Sequence, residues 1–262
     1  MLPQSRAYRD ATQSVLLVGS QLLREVAADV ARDGRSALRV RLLLLAEGAP
    51  TPAGLCPDRL LRASRPVLAK LAGVENGDGV DAVAELHQPS VRSLSNADQP
   101  AFAAATRLLL LEGVQDPGNL GTLLRSAVAF GWHACVLLPG CCDPFNDKAV
   151  RASRGAALRL PLWRASSWAD MQHLRASLNA SCLAASPAGD PSGTSIRLAA
   201  AQSSTRPIWL LLGAEGQGLS AEALHSCTSV AIPGAQGFES LNVGIAGSVL
   251  MFALSQQGCA EG

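Results

Sequence analysis

The regular alternation of short apolar runs with segments of helical apolar spacing constrains this chain most, and it runs from residue 14 to residue 255. Strand-length Val/Leu runs separated by helices of about ten residues predict a mostly parallel sheet covered by helices on both faces, an α/β fold. In the first part the periodicity predicts strands at 14–18, 39–46 and 80–86, with helices at 21–31 and 59–71. The later part predicts strands at 106–111, 134–138, 158–162, 181–185, 208–212 and 228–232 and helices at 120–130, 145–154, 167–178, 219–226 and 242–255. Ligands of such sheets bind at the carboxyl ends of strands.

Residues 87–102, HQPSVRSLSNADQPAF, interrupt the alternation with turn chemistry. The boundary falls there: a small α/β domain at 1–88, a linker at 89–104 and a larger domain at 105–258. With 48% apolar and 16% charged residues, 262 residues suffice for two packed cores and exclude a disordered or fibrous chain. A net charge of +1 gives no strong overall pull towards nucleic acid or membrane. Between Lys148 and Arg164, however, Arg151, Arg154 and Arg159 are joined by no acid. With Arg6 and Arg9 they are candidate nucleic-acid contacts, or equally a solvated basic face.

The seven cysteines are scattered without C-x-x-C or metal-ligand spacing, which predicts a reducing compartment and no metal. The longest apolar stretch, 241–254, falls short of the roughly 18–20 residues that cross a bilayer. The first 15 residues have no apolar core of the kind a secretory signal needs.

Three segments at strand ends could carry chemistry. At 116–131, DPGNLGTLLRSAVAFG, a turn supplies a helix start, with Asn119 in its first turn and Arg125 further along. Free N–H groups there favour an anion, and the same residues read equally as a β-turn, an N-cap and a solvated arginine. At 210–220, LLLGAEGQGLS, a buried strand runs into Gly213, Glu215, Gly216 and Gly218. The order is G-x-x-G-x-G, and residues 230–240 offer no clear match to the acidic residue a dinucleotide site wants at the next strand end, so a nicotinamide dehydrogenase is a weak alternative. At 232–246, IPGAQGFESLNVGIA, Ser240 is a candidate N-cap and Asn242 falls in the first turn of a helix rich in small residues.

In this order the three segments resemble the motifs of the SpoU family of RNA ribose 2'-O-methyltransferases, within the knotted SPOUT superfamily. The connecting DPFNDKAVRASRGA (143–156) is similar to the family's. SRAYRDATQSVLLVGSQLLREV (5–26) and LAGVENGDGVDAVAEL (71–86) resemble the small substrate-binding domain, related to ribosomal protein eL30, that precedes the catalytic domain in many members. The resemblance implies an α/β-knot methyltransferase domain, S-adenosylmethionine as cofactor, and an RNA substrate. Large-subunit ribosomal RNA is the first expectation, with transfer RNA or an inactive RNA-binding assembly role as alternatives. It makes Asn119 and Arg125 catalytic and phosphate-contacting, Glu215 a supporting residue, and Ser240 and Asn242 part of the pocket. Cofactor contacts would be largely main-chain, at Gly213, Glu215, Gly216, Ile232 and Leu241. The small residues of the last helix, Gly244, Ala246, Gly247 and Ser248, would fit the family's tight homodimer. Bacterial cytoplasm, chloroplast and mitochondrion are all compatible compartments. Gly234, Gln236 and Gly244 depart from the family's usual residues.

Overall fold

The computed structural model describes residues 5–32, 39–74, 79–94, 102, 104–185, 194–195, 206–214, 216, 218–233 and 240–256. The chain divides into two compact units, Met1–Pro89 with Asp143–Arg159, and Ser90–Cys142 with Leu160–Gly262.

The first unit contains α1 (Arg6–Thr12), β1 (Ser14–Val18), α2 (Ser20–Arg32), β2 (Val40–Ala46), β3 (Arg59–Ala63), α3 (Arg65–Ala72) and β4 (Ala82–His87). Its sheet has the order β1-β4-β2-β3. β4 runs antiparallel to both neighbours, while β2 and β3 are parallel. Val15, Leu17, Leu43, Leu45, Val83 and Leu86 are buried, each such side chain contributing about 1.5–3 kcal/mol.

Two expectations change here. The helix at 59–71 is a strand followed by a helix. Pro66 lies in the first turn of α3, where its missing N–H costs nothing, and the chain before Ser64 pairs with β2. Arg9 is not a surface cation: it is 4% exposed, and its guanidinium pairs with Asp143 at 2.7 Å. It is built into the first unit and is not available to a phosphate.

The second unit contains β5 (Arg92–Ser93), β6 (Arg107–Glu112), α4 (Pro117–Ala129) and β7 (Ala134–Leu137). After α5 (Asp147–Ala152), which belongs to the first unit, come β8 (Leu162–Arg164), α6 (Trp168–Leu178), β9 (Ser181–Ala185), β10 (Thr194–Ser195), β11 (Ile208–Gly213), α7 (Ala221–Ser226), β12 (Thr228–Ala231) and α8 (Val243–Ser255). Every pairing in its sheet is parallel, in the order β10-β12-β9-β11-β6-β7-β8-β5. Leu108 to Leu111 are wholly buried, as the unbroken leucine run of a strand covered on both faces requires.

The strand expected at 158–162 lies at Leu162–Arg164 instead, and Ala156–Leu158 form a 3-10 turn. Pro161 cannot donate to a ladder and stands just before the strand, its carbonyl accepting from Cys135 N. The apolar run before it is buried by packing, not by strand pairing. Within the expected linker, β5 pairs with β8, Arg92 stacks over Trp163 at 5.2 Å, and Phe102 is buried against the same ring.

Candidate active site

β6 lies between β11 and β7, so the chain leaves the sheet centre in both directions, and the crevice of such a sheet opens at the carboxyl ends of those strands. Glu112 and Gly213, paired in register, mark that edge.

The loops leaving it pack backbone on backbone. A Cβ on Gly213 would stand 2.7 Å from the Gly218 carbonyl carbon and oxygen. Gly113 has φ +69° and Gly140 φ +85°, and a Cβ on Gly140 would lie 3.0 Å from Gly113 Cα. The loop after β11 is tightened by a hydrogen bond from Gly218 N to Ala214 O and carries Gly216 at its exposed tip. Glu112 fastens this loop to β6, its carboxylate accepting from Ser220 N at 2.9 Å. The only mark of Glu112 in the sequence is that a carboxylate ends an otherwise leucine strand.

Two helix starts meet at the same edge. Asp116 caps α4 by accepting from Asn119 N at 2.8 Å, which places Asn119 in the first turn as the turn chemistry predicts. The cap of α8 is Asn242, not Ser240: its Oδ1 accepts from Gly244 N and Ile245 N. Asn242 Nδ2 then donates to Asn119 Oδ1 at 3.0 Å across 123 residues of sequence. Gly244 suits this corner, since a Cβ there would press on Asn242 Oδ1 at 3.1 Å and on Asn119 Oδ1 at 3.3 Å.

The small residues of α8 serve α4. A Cβ on Gly247 would meet Leu123 Cδ2 at 2.3 Å and Leu212 Cδ1 at 2.5 Å, and Ser248 shares a 2.7 Å hydrogen bond with Ser126. Gly244, Gly247 and Ser248 thus let two helices of one chain approach.

Arg125 is exposed on α4, Ser240 and Leu241 are exposed just before α8, and Ile232 is half-buried after β12. Glu215, with Gly234 and Gln236, lies outside the described residues. Cys141 donates to Leu111 O, and burial pushes its thiol up, so it sits beside the edge as a neutral thiol. Among the described residues there is no cluster of His, Cys, Asp and Glu able to hold a metal ion, and no helix is long and apolar enough to cross a membrane.

The acid-free basic segment gains acids from outside its own window. Arg151 pairs with Asp147 at 2.8 Å and donates to Ala72 O, and Arg154 pairs with Glu25 at 3.2 Å. Arg6 pairs with Asp10 on α1, and Lys148 is exposed.

A parallel sheet with glycine-packed loops and two asparagine-bearing helix starts at its switch point defines a ligand-binding α/β domain. Residues 106–252, more than half of the chain, match the model of the SpoU rRNA methylase family, and the chain belongs to that family. An uncharacterised tRNA/rRNA methyltransferase of Mycobacterium tuberculosis is 37% identical over 200 residues, 75% of this chain and 66% of that protein. The chain thus matches just under two thirds of this curated relative's length. A 23S rRNA (guanosine(2553)-2'-O)-methyltransferase of Bacillus subtilis is 30% identical, covering 68% of this chain and 69% of the relative. The SpoU methyltransferase AviRb of Streptomyces viridochromogenes, solved with AdoMet, shares the fold at TM-score 0.76 and 22% identity, over 98% of this chain and 95% of that one.

Proposed function

We propose that this protein transfers a methyl group from S-adenosylmethionine to a ribose 2'-hydroxyl of RNA, with large-subunit ribosomal RNA as substrate. The observation that carries the reading is the Asn242–Asn119 hydrogen bond at the sheet edge, beside loops packed so closely that Gly213 leaves no room for a Cβ. The ribosomal substrate is supported by the Bacillus relative, whose name specifies a ribose methylation of 23S rRNA.

The glycine-lined edge fits a ligand gripped by main-chain groups, and Gly213, Gly216, Ile232 and Leu241 would hold the donor. When bound, S-adenosylmethionine supplies a methyl group already activated on a sulfonium. The protein's part is then to align a weak nucleophile, and orientation alone supplies much of such a rate enhancement. Asn119, its amide turned by the bond from Asn242, positions the ribose. Arg125, exposed on α4, grips the neighbouring phosphate and stabilises the developing oxyanion, while Ser240, Asn242 or solvent takes part in removing the proton. The first unit supplies further RNA contacts through Lys148 and the outward parts of Arg6, Arg151 and Arg154.

The active form is a homodimer built on α8. Ile245, Val249 and Phe252 recur at i, i+4 and i+7 and are 53%, 41% and 49% exposed, while Leu250, Met251 and Leu254 fill the chain's own core. Leu241 extends the same exposed face next to Asn242. A second copy of this helix is the occupant that buries an apolar face continuous with the site. Ile245→Asp with Phe252→Asp is expected to sediment as a folded monomer and lose methyl transfer; a variant that stays dimeric would refute this interface.

The function is tested by incubating the protein with methyl-labelled S-adenosylmethionine and unmodified ribosomal or transfer RNA. Label is expected on a ribose of the ribosomal RNA. Label on transfer RNA alone would move the substrate, and binding of RNA without transfer would mark an assembly factor.

A further inference from the structure

We propose that Cys182 and Cys227 form an oxidisable dithiol, a modification site whose co-reactant is a low-molecular-weight disulfide such as glutathione disulfide. The two lie 45 residues apart, yet the Cys227 thiol donates to Cys182 Sγ at 3.0 Å. The strand register explains the meeting. Thr228 pairs with Leu183, so Cys227, one residue before β12, falls beside Cys182 on β9. Neighbouring strands run about 4.8 Å apart, inside the roughly 4.4–6.8 Å between α-carbons that a disulfide spans. Side-chain rotation closing about 1 Å makes the bond.

The two thiols differ in a way that sets the order of steps. Cys182 is buried in the core, and its hydrogen-bonded contact with Cys227, together with burial, pushes its thiol well up, so it holds its proton. Cys227 is half-buried and reachable from solvent. Its segment is held by α6, where Gln172 donates to the Ser226 hydroxyl at 2.7 Å and Arg175 donates to the Ser226 carbonyl. The Cys227 thiolate attacks one sulfur of the small disulfide, whose S–S bond breaks and releases one thiolate. Cys182 then loses its proton to solvent and attacks Cys227 Sγ, expelling the second thiol. Two protein thiols are oxidised and the small disulfide is reduced to two thiols.

The bond would lie at the amino ends of β9 and β12, away from the carboxyl edge that carries the asparagines. It therefore clamps the outer strands of the sheet and does not obstruct the site. Closing a loop of 45 residues is expected to raise Tm by about 10 °C.

The test exposes the full-length reduced protein to glutathione disulfide, then counts thiols after denaturation and maps peptides by mass spectrometry. Five of the seven thiols are expected to remain, with one crosslinked peptide pair joining Cys182 to Cys227, all reversed by dithiothreitol. Cys182→Ser is expected to stop at a glutathione adduct on Cys227, and Cys227→Ser to leave Cys182 unmodified. Seven remaining thiols, a crosslink to Cys56 or Cys259 instead, or no adduct on folded Cys182→Ser would overturn the proposal. If either variant does not fold, the wild-type peptide map decides.

Discussion

Asn242→Asp is expected to fold as stably as the wild type and to lose methyl transfer by about 10²–10³-fold in kcat. The aspartate keeps an oxygen to accept from Gly244 N and Ile245 N, so α8 stays capped, and a negative charge suits a helix start. What it removes is the Nδ2 donor to Asn119 Oδ1. Two oxygens would then face each other across about 3 Å, and the Asn119 amide must turn. Asn119→Ala is expected to cost as much, and the double variant little more, because residues in direct contact act as one unit. Asn242→Ala should add a stability loss of about 1 kcal/mol from the missing cap. Steady-state rates and melting curves of the four proteins check this. A folded Asn242→Asp within tenfold of wild-type kcat would show that the contact does not orient the reaction.

Gly213→Ala should give the second large effect, on affinity. Its Cβ would stand 2.7 Å from the Gly218 carbonyl and 2.9 Å from Leu219 Cδ2, and the first of these is backbone, which cannot rotate away. The loop must move outwards at an overpacking cost of about 1–3 kcal/mol. A grip made of main-chain groups loses alignment with that movement, so S-adenosylhomocysteine should bind at least tenfold more weakly by calorimetry. Glu112 limits how far the loop can follow, because its carboxylate ties Ser220 N to the end of β6. Binding within twofold of the wild type would place the cofactor grip elsewhere.

Much of the fold was legible because its signals are local. The strands at Ser14–Val18 and Ser181–Ala185 fall at the bounds the apolar runs predict, and Asp116 starts α4 as its turn chemistry requires. The misread segments share a cause: a neighbour overruled the local pattern. Arg59–Ala63 carries leucines and arginines that suit a helix, but an open edge on β2 and Pro66 just beyond it made a strand. At the site, Asn119 and Asn242 were singled out separately, while the cap moved from Ser240 to Asn242 because only the folded corner shows which side chain reaches Gly244 N.

Sequence alone determined where strands and helices alternate, which leucine runs are covered on both faces, and that two glycine-rich turns and two asparagines fall at strand or helix ends. Those are properties of a few consecutive residues and their backbone preferences. Tertiary structure decided what meets what: Asn119 with Asn242, Glu112 with Ser220, Arg9 with Asp143, and Cys182 with Cys227. Each pair spans 45 or more residues, and strand order and register, which no local pattern encodes, bring its members within bonding distance.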